Sequence, residues 1–401
     1  MLTEIKLFFR NALIKVVEFY LKAPVLFPKR NTLLILRLDE IGDYVLFRNF
    51  IEHIKLSDKY KGYKIFLAGN ERWKDLAEEF DGKYIDGFIW INLKEFKSRA
   101  NWWYRLKNLL KLKSMKCEYL FIPNDTFSEK IKYFMDRIGI KKVIKKENDS
   151  VYLQREITDF LNEKKKLSFA DYQETFFQFY RNKKYIEKVT ESISNIKKPY
   201  FNKIENKKSS YGRIVIFPGA GHDSRTWPAE NFGELCKKIK EIAEYEIIIC
   251  GDILDKEKAV KIKQKENSIV DLTSKTSLPD LVKIIKESDL LISNETSAVH
   301  IAASVNTKTI CLSNGNHFGR FNPYPDKCAD FIYTIYPDEI TSGMNDYGKF
   351  VKDSIIISDI SMKKISVEKV IEKVSELLSG SISGKNPSET LSNQATKIRT
   401  S

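Results

Sequence analysis

LLILRLDEIGD, running from Leu33 to Asp43, decides the fold. Its first six residues are almost unbroken apolar character, which suits a strand buried on both faces better than a packed helix. Gly42 then permits a sharp turn. Asp43 opens an amphipathic segment that reads as helix as far as Leu56. A buried strand passing through a tight turn into a helix is the opening of a βαβ unit, so a parallel sheet covered by helices is expected.

The same rhythm continues outward from this stretch. Lys64–Ala68, Phe88–Ile91 and Tyr119–Ile122 read as strands, with helices over Glu71–Phe80 and Asn101–Leu112. From about Lys183 to Tyr211 the rhythm gives way to a Lys-, Asn- and Ser-rich stretch, read as helix plus linker. It then restarts. Ile214–Phe217, Glu246–Cys250, Leu290–Ser293 and Thr309–Leu312 read as strands, with helices over Ala229–Glu241, Ile253–Lys265, Leu278–Lys286, Ser297–Ser304 and Ser366–Leu378. The expected organisation is an amphipathic N-terminal helix in 1–30, a Rossmann-like unit over 31–185, a linker over 186–212 and a second Rossmann-like unit over 213–378. A polar tail over 379–401 has too little apolar content to order itself.

The chain has 68 Lys and Arg against 54 Asp and Glu, a net charge of +14, which points to an anionic partner. Cys117, Cys236, Cys250, Cys311 and Cys328 are odd in number, widely spaced and never paired as CxxC, which speaks against a disulfide framework and a structural zinc site. No apolar run is long enough to span a membrane. At the N-terminus, Glu4, Lys6, Arg10, Lys15 and Glu18 interrupt the apolar run that a signal peptide would need. Ile5, Phe8, Phe9, Ala12, Val16 and Tyr20 fall near helical spacing with bases on the other side. Such a helix suits either a membrane interface or packing on its own protein.

Rossmann-type units bind ligands at the carboxyl ends of their strands, so four strand-to-helix turns are the candidates for chemistry. In Arg37–Asp43 the acid Asp43 reads either as a helix N-cap or as a carboxylate able to take a proton from a hydroxyl. In Phe217–Pro228, Gly219 and Gly221 allow close backbone approach, and Arg225 with the following helix N-terminus makes an anion site. In Ser293–Ala303, Glu295, Thr296, Ser297 and His300 bring an acid, hydroxyls, free amides and an imidazole to one helix start. In Gly251–Glu257, Asp255 and Glu257 are candidates for holding a ribose diol, or simply first-turn acids of a helix.

These pieces in this order resemble glycosyltransferase family 9, the ADP-heptose:lipopolysaccharide heptosyltransferases. RLDEIGDYVL is similar to the family's opening strand–turn–helix, PGAGHDSRTWPAENFGEL to its PGA…KxWP loop, and DLTSKTSLPDLVKIIKESDLLISNETSAVHIAA to its DLTGKTSL…DTGxxHxAA segment. The resemblance implies a GT-B fold, two Rossmann-like domains facing across a cleft. It also implies inverting, metal-independent transfer of a sugar, heptose in the family, from an ADP-linked donor to a hydroxyl of a lipopolysaccharide core or related glycan. Asp43 falls on the family's base. Arg225 stands where the family has a phosphate-binding lysine, Glu295 replaces its Asp and Ser297 its Gly, while Thr296 and His300 match.

In that mechanism Arg225, His300 and the amides near Thr296 and Ser297 would stabilise the departing diphosphate as positive groups in place of a metal. No metal cofactor is expected; the nucleotide sugar is a substrate. The acceptor is expected to be an anionic saccharide or lipid-linked glycan, because Lys97–Lys116 and Lys130–Lys146 each carry seven bases. An anionic membrane surface is the further partner, which places the protein in the cytoplasm with a peripheral site on the inner membrane face. A non-catalytic nucleotide-sugar-binding relative is one alternative. A nucleic-acid-binding protein is another, but no nucleic-acid motif supports it and no such partner is expected.

Overall fold

A computed structural model describes residues 12, 15–98, 100–124, 129–146, 169–202, 204, 212–242, 244–316, 318–343 and 358–382. The expected polar tail from residue 383 onward, and the first eleven residues, lie outside them. Two parallel sheets organise the chain. The first is built from β1 (Lys29–Arg37), β2 (Lys64–Asn70), β3 (Gly87–Ile91), β4 (Cys117–Ile122) and β5 (Lys142–Lys145), in the order β3-β2-β1-β4-β5. The second contains β6 (Arg213–Phe217), β7 (Glu246–Ile249), β8 (Val270–Asp271), β9 (Leu290–Asn294), β10 (Thr309–Leu312) and β11 (Ile332–Ile335), in the order β11-β10-β9-β6-β7-β8.

Each order reverses direction once, between β1 and β4 in the first sheet and between β6 and β9 in the second. At such a switch point the flanking helices pass to opposite faces and leave a crevice at the strand ends. The crevices therefore fall at the turns after β1, β6 and β9. The sequence anticipated these three.

The strands are buried from both sides: in β1 every residue from Thr32 to Arg37 is inaccessible. The sequence reading named none of β5, β8 and β11, nor the helices Glu129–Ile138 and Phe169–Phe176, and two expected helices differ in extent. The helix expected from Asp43 to Leu56 is broken into Ile41–Val45 and Asn49–Leu56. The final helix runs from Val367 to Ile382, past the expected end at Leu378.

Apolar packing does not stop at the boundary between the two units. One cluster contains Tyr44, Val45 and Leu76 from the first together with Leu281, Val299 and Ala302 from the second. The chain also stitches the units together. Gln173 Nε2 donates to the Pro323 carbonyl at 2.9 Å and Gln178 N to the Arg320 carbonyl at 2.8 Å. A few residues further on, Asn182 Nδ2 donates to the Leu46 carbonyl at 3.1 Å, which returns the Gln178–Thr190 helix to the first unit.

Candidate active site

The turn after β1 is organised by Arg37, a residue to which the sequence reading gave no role. Its side chain is almost wholly buried, lies 2.9 Å from the Asp39 carboxylate, and donates to the carbonyls of Pro123 (3.2 Å) and Asp43 (2.9 Å). The guanidinium also covers the Phe47 ring at 4.3 Å. Asn70 Nδ2 and Trp73 Nε1, from the end of β2 and just beyond it, both donate to the Asp39 carbonyl at 3.1 Å. A buried cation surrounded by backbone acceptors fixes the turn from beneath.

Glu40, not Asp43, holds the N-cap position of the short helix, and its side chain makes no cap bond. Asp43 sits in the first turn, half-buried, so the capping reading of this acid is set aside. Gly42 is also there for a different reason than expected. It lies within the helix rather than in a left-handed turn, and a Cβ on it would meet His300 Cδ2 at 2.8 Å and Ser297 Cα at 3.6 Å. The turn beside Asp43 thus rests directly on the helix Ser297–Val305 of the second unit.

That helix starts from Thr296, whose hydroxyl accepts from Ala298 N at 3.3 Å and lies 3.2 Å from Ser293 Oγ. Glu295 is buried. Ser313 Oγ donates to its Oε2, and the buried Asn322 side chain lies beside it and also favours its ionised form. Burial pushes the Glu295 carboxyl up to about 7, against the opposing pull of the Ser313 hydroxyl and the Arg225 guanidinium. The Arg225 charge therefore reaches Glu295, which brings the second and third candidate turns together.

His300 corrects an expectation. Burial holds its imidazole down to about 3, so it is neutral at physiological pH and contributes no positive charge. Its Nδ1 lies 2.5 Å from the Tyr324 hydroxyl. The Tyr324 proton finds no other acceptor among the described residues, so the fully satisfied arrangement has Tyr324 donating to Nδ1 and the ring proton on Nε2. The Cδ2–Nε2 edge is the one that faces Gly42. His300 therefore presents an uncharged N–H donor at the boundary between the units.

The loop carrying Gly219 and Arg225 is tethered by two asparagines that the sequence reading passed over. Asn294, at the end of β9, accepts from Trp227 N at 3.0 Å and donates to the Pro218 carbonyl at 2.8 Å, so it clasps both ends of the loop. Asn314, just past β10, donates to the Ser224 carbonyl at 3.2 Å and to the Ile360 carbonyl at 3.1 Å. A signal was present. A Ser-Asn pair closes or directly follows each strand's apolar run, ISN at 292–294 and LSN at 312–314, and a polar pair at the end of a buried strand must find partners.

Asp255 also departs from the ribose-binding expectation. It is buried, and its carboxylate accepts from Asp252 N at 3.1 Å in a capping box and pairs with Lys258 Nζ at 3.0 Å. A Cβ on Gly219 would meet its Oδ2 at 2.2 Å, and one on Gly251 at 2.7 Å. Both glycines make room for this acid, which serves the local fold. Glu257 stands exposed in the first turn of Lys256–Lys265.

With this geometry in view, comparison with known proteins shows what the chain is similar to. Residues 157–344 match the profile of glycosyltransferase family 9 (heptosyltransferase). The chain carries a family 9 domain. The segment similar to the Campylobacter coli lipopolysaccharide heptosyltransferase 1 is 24% identical over 196 residues, covering 47% of this chain and about half, 52%, of that enzyme. The family 9 glycosyl transferase structure from Veillonella parvula superposes with a TM-score of 0.61 at 16% identity, over 89% of this chain and 99% of that one. The E. coli ADP-heptose lps heptosyltransferase II gives 0.59 at 16% identity over 87% and 99%. An E. coli heptosyltransferase with ADP gives 0.61 at 12% over 86% and 99%. These likenesses establish that the family 9 domain belongs to a chain with the GT-B fold, as the order of motifs implied.

Proposed function

We propose that the protein is an inverting glycosyltransferase that moves a sugar, heptose by family, from an ADP-linked donor to a hydroxyl of a lipopolysaccharide core or related cell-surface glycan in the cytoplasm. The observation that carries this reading is the contact between Gly42 and His300. It sets the acid-bearing turn of the first unit against a capped helix start in the second, with Arg225 close by.

In this reading Asp43 removes the proton of the acceptor hydroxyl, whose oxygen attacks the anomeric carbon opposite the diphosphate. The bond from that carbon to the diphosphate oxygen breaks, and the leaving group carries its charge to Arg225. The His300 Nε2–H and the amides of the helix start at Ser297 add neutral donors. Arg225 in place of lysine keeps the charge and adds the possibility of two parallel hydrogen bonds. Glu295, Thr296 and Gly219 line the donor side. The described residues contain no cluster of ligands that would hold a metal ion. In this reading the nucleotide sugar is the only small molecule required.

The test is a split between binding and turnover. Asp43→Asn should retain ADP-sugar affinity, measured by thermal shift, while transfer falls by about 10²–10⁴-fold, the usual contribution of a general base. An Asn variant with normal turnover would remove Asp43 from the chemistry. A wild-type protein that binds the nucleotide sugar but transfers to no acceptor would point to the non-catalytic relative.

A further inference from the structure

The chain ahead of β1 packs on the first unit and leaves a second face open. Residues 15–22 form a helix. Leu21 and Val25 are buried in the core shared with Leu109, Leu112 and Ile138. Lys113 Nζ donates to the carbonyls of Leu21 and Ala23, and Val25 N donates to the Gly139 carbonyl at 2.8 Å. The arm is held by Leu21 and Val25 rather than by the face of Val16 and Tyr20. Yet Phe19 (81%), Phe27 (80%), Leu26 (73%), Val16 (66%) and Tyr20 (51%) stand out into solvent from the same arm.

Five bulky apolar side chains within twelve residues are more than scattered surface leucines. Exposed bases flank them: Lys15, Lys22, Lys29 and Arg30 on the arm itself, and Lys116, whose carbonyl accepts from Lys29 N at 2.8 Å. The one acid of the helix, Glu18, lies 3.9 Å from Arg137. A second copy of the chain is a poor occupant, since a self-complementary contact would bring two sets of these bases face to face. An anionic bilayer fits both features. Its interface takes up protruding aromatic and aliphatic side chains, and its headgroups neutralise the bases around them. No described helix is long and apolar enough to cross a membrane, so the contact would be peripheral.

We propose that the Val16–Arg30 arm docks the protein on an anionic lipid surface, through Phe19, Tyr20, Leu26 and Phe27 inserted shallowly among headgroups contacted by Lys22, Lys29 and Arg30. The proposal does not depend on the donor chemistry. Because Leu21 and Val25 belong to the core, the test uses surface substitutions in the full chain rather than truncation.

Co-sedimentation with vesicles of phosphatidylcholine and phosphatidylglycerol should show binding that weakens as salt is raised, with little binding to phosphatidylcholine alone. A Phe19→Ser/Leu26→Ser/Phe27→Ser variant should keep the wild-type melting temperature and lose at least tenfold in vesicle affinity. A Lys22→Gln/Lys29→Gln/Arg30→Gln variant should lose affinity and most of the salt dependence. Asp43→Asn should bind vesicles like wild type, which separates this result from the fate of the catalytic reading. Absence of wild-type binding, or equal binding by the triple Ser variant, would overturn the proposal. So would a dimer in light scattering that the Ser substitutions break while vesicles are ignored.

Discussion

The turns after β1 and β9 face one another across the boundary, yet they are stabilised by opposite electrostatic strategies. The β1 turn is built on retained charge: buried Arg37 is matched by Asp39 and by carbonyls. The β9 turn is built on suppressed charge: Glu295 is raised to about 7 and His300 lowered to about 3, both by burial. A scaffold that keeps its ions paired is indifferent to pH over the ordinary range. One that neutralises them stores a proton-dependent energy, and that energy makes the contrast measurable.

Removing the Arg37 cation should be the most damaging change. Arg37→Met removes the cation beside Asp39 and the donor to the Pro123 and Asp43 carbonyls, a loss of about 3–5 kcal/mol by the precedent of broken buried pairs. Chemical denaturation would measure it, and a loss below 1 kcal/mol would show that the turn holds without its cation.

The β9 side predicts a profile instead of a single number. Raised from 4.5 to about 7, Glu295 contributes stability that is present below pH 4.5 and lost as pH rises to 7. Lowered from 6.5 to about 3, His300 contributes stability that is present above pH 6.5 and lost as pH falls to 3. Between 4.5 and 6.5 the two slopes oppose and cancel. Glu295→Gln should uncover the His300 slope, so that stability climbs by about 1.4 kcal/mol per pH unit in that window. Identical wild-type and variant profiles would refute the suppressed-charge account.

Arg225→Ala should weaken nucleotide-sugar binding by roughly 1.5–3 kcal/mol, the range for a hydrogen bond to a charged group, and Arg225→Lys should recover part of it. Calorimetric titration with ADP would decide the matter, and unchanged affinity in the Ala variant would take Arg225 out of the site. The smallest effect is expected of Tyr324→Phe. It strips His300 Nδ1 of its partner, which costs about 1–2 kcal/mol of stability while His300 stays neutral. A neutral result would mean that the ring has another way to satisfy Nδ1.

What could be read in advance follows the same division. Apolar runs such as LLILRL and LLIS announce strands buried on both faces, and their spacing with Gly42, Gly219 and the capping Thr296 locates the switch-point turns. Charge state was not legible. His300 looks like a cation in sequence, and only three-dimensional burial and the Tyr324 hydroxyl, 24 residues away, make it a neutral donor. Asp255 looked accessible because a first-turn acid usually is; besides Gly251 of its own turn, it is covered by Gly219, from a turn that meets it only in space. Arg37 was hidden inside an apolar strand, where a lone base carries no pattern until its partners Pro123 and Asp43 converge on it.

The contact at Gly42 has a mechanical consequence. With a hydrogen where any other residue has a carbon, the first unit comes to rest against the His300 ring at the limit of steric approach. At this contact the boundary has a steric stop, which limits how closely the two turns can approach. The distance between the two turns is thus bounded by a hard surface rather than by a balance of weak attractions alone. A methyl group at position 42 would move that stop outward and hold the two halves ajar.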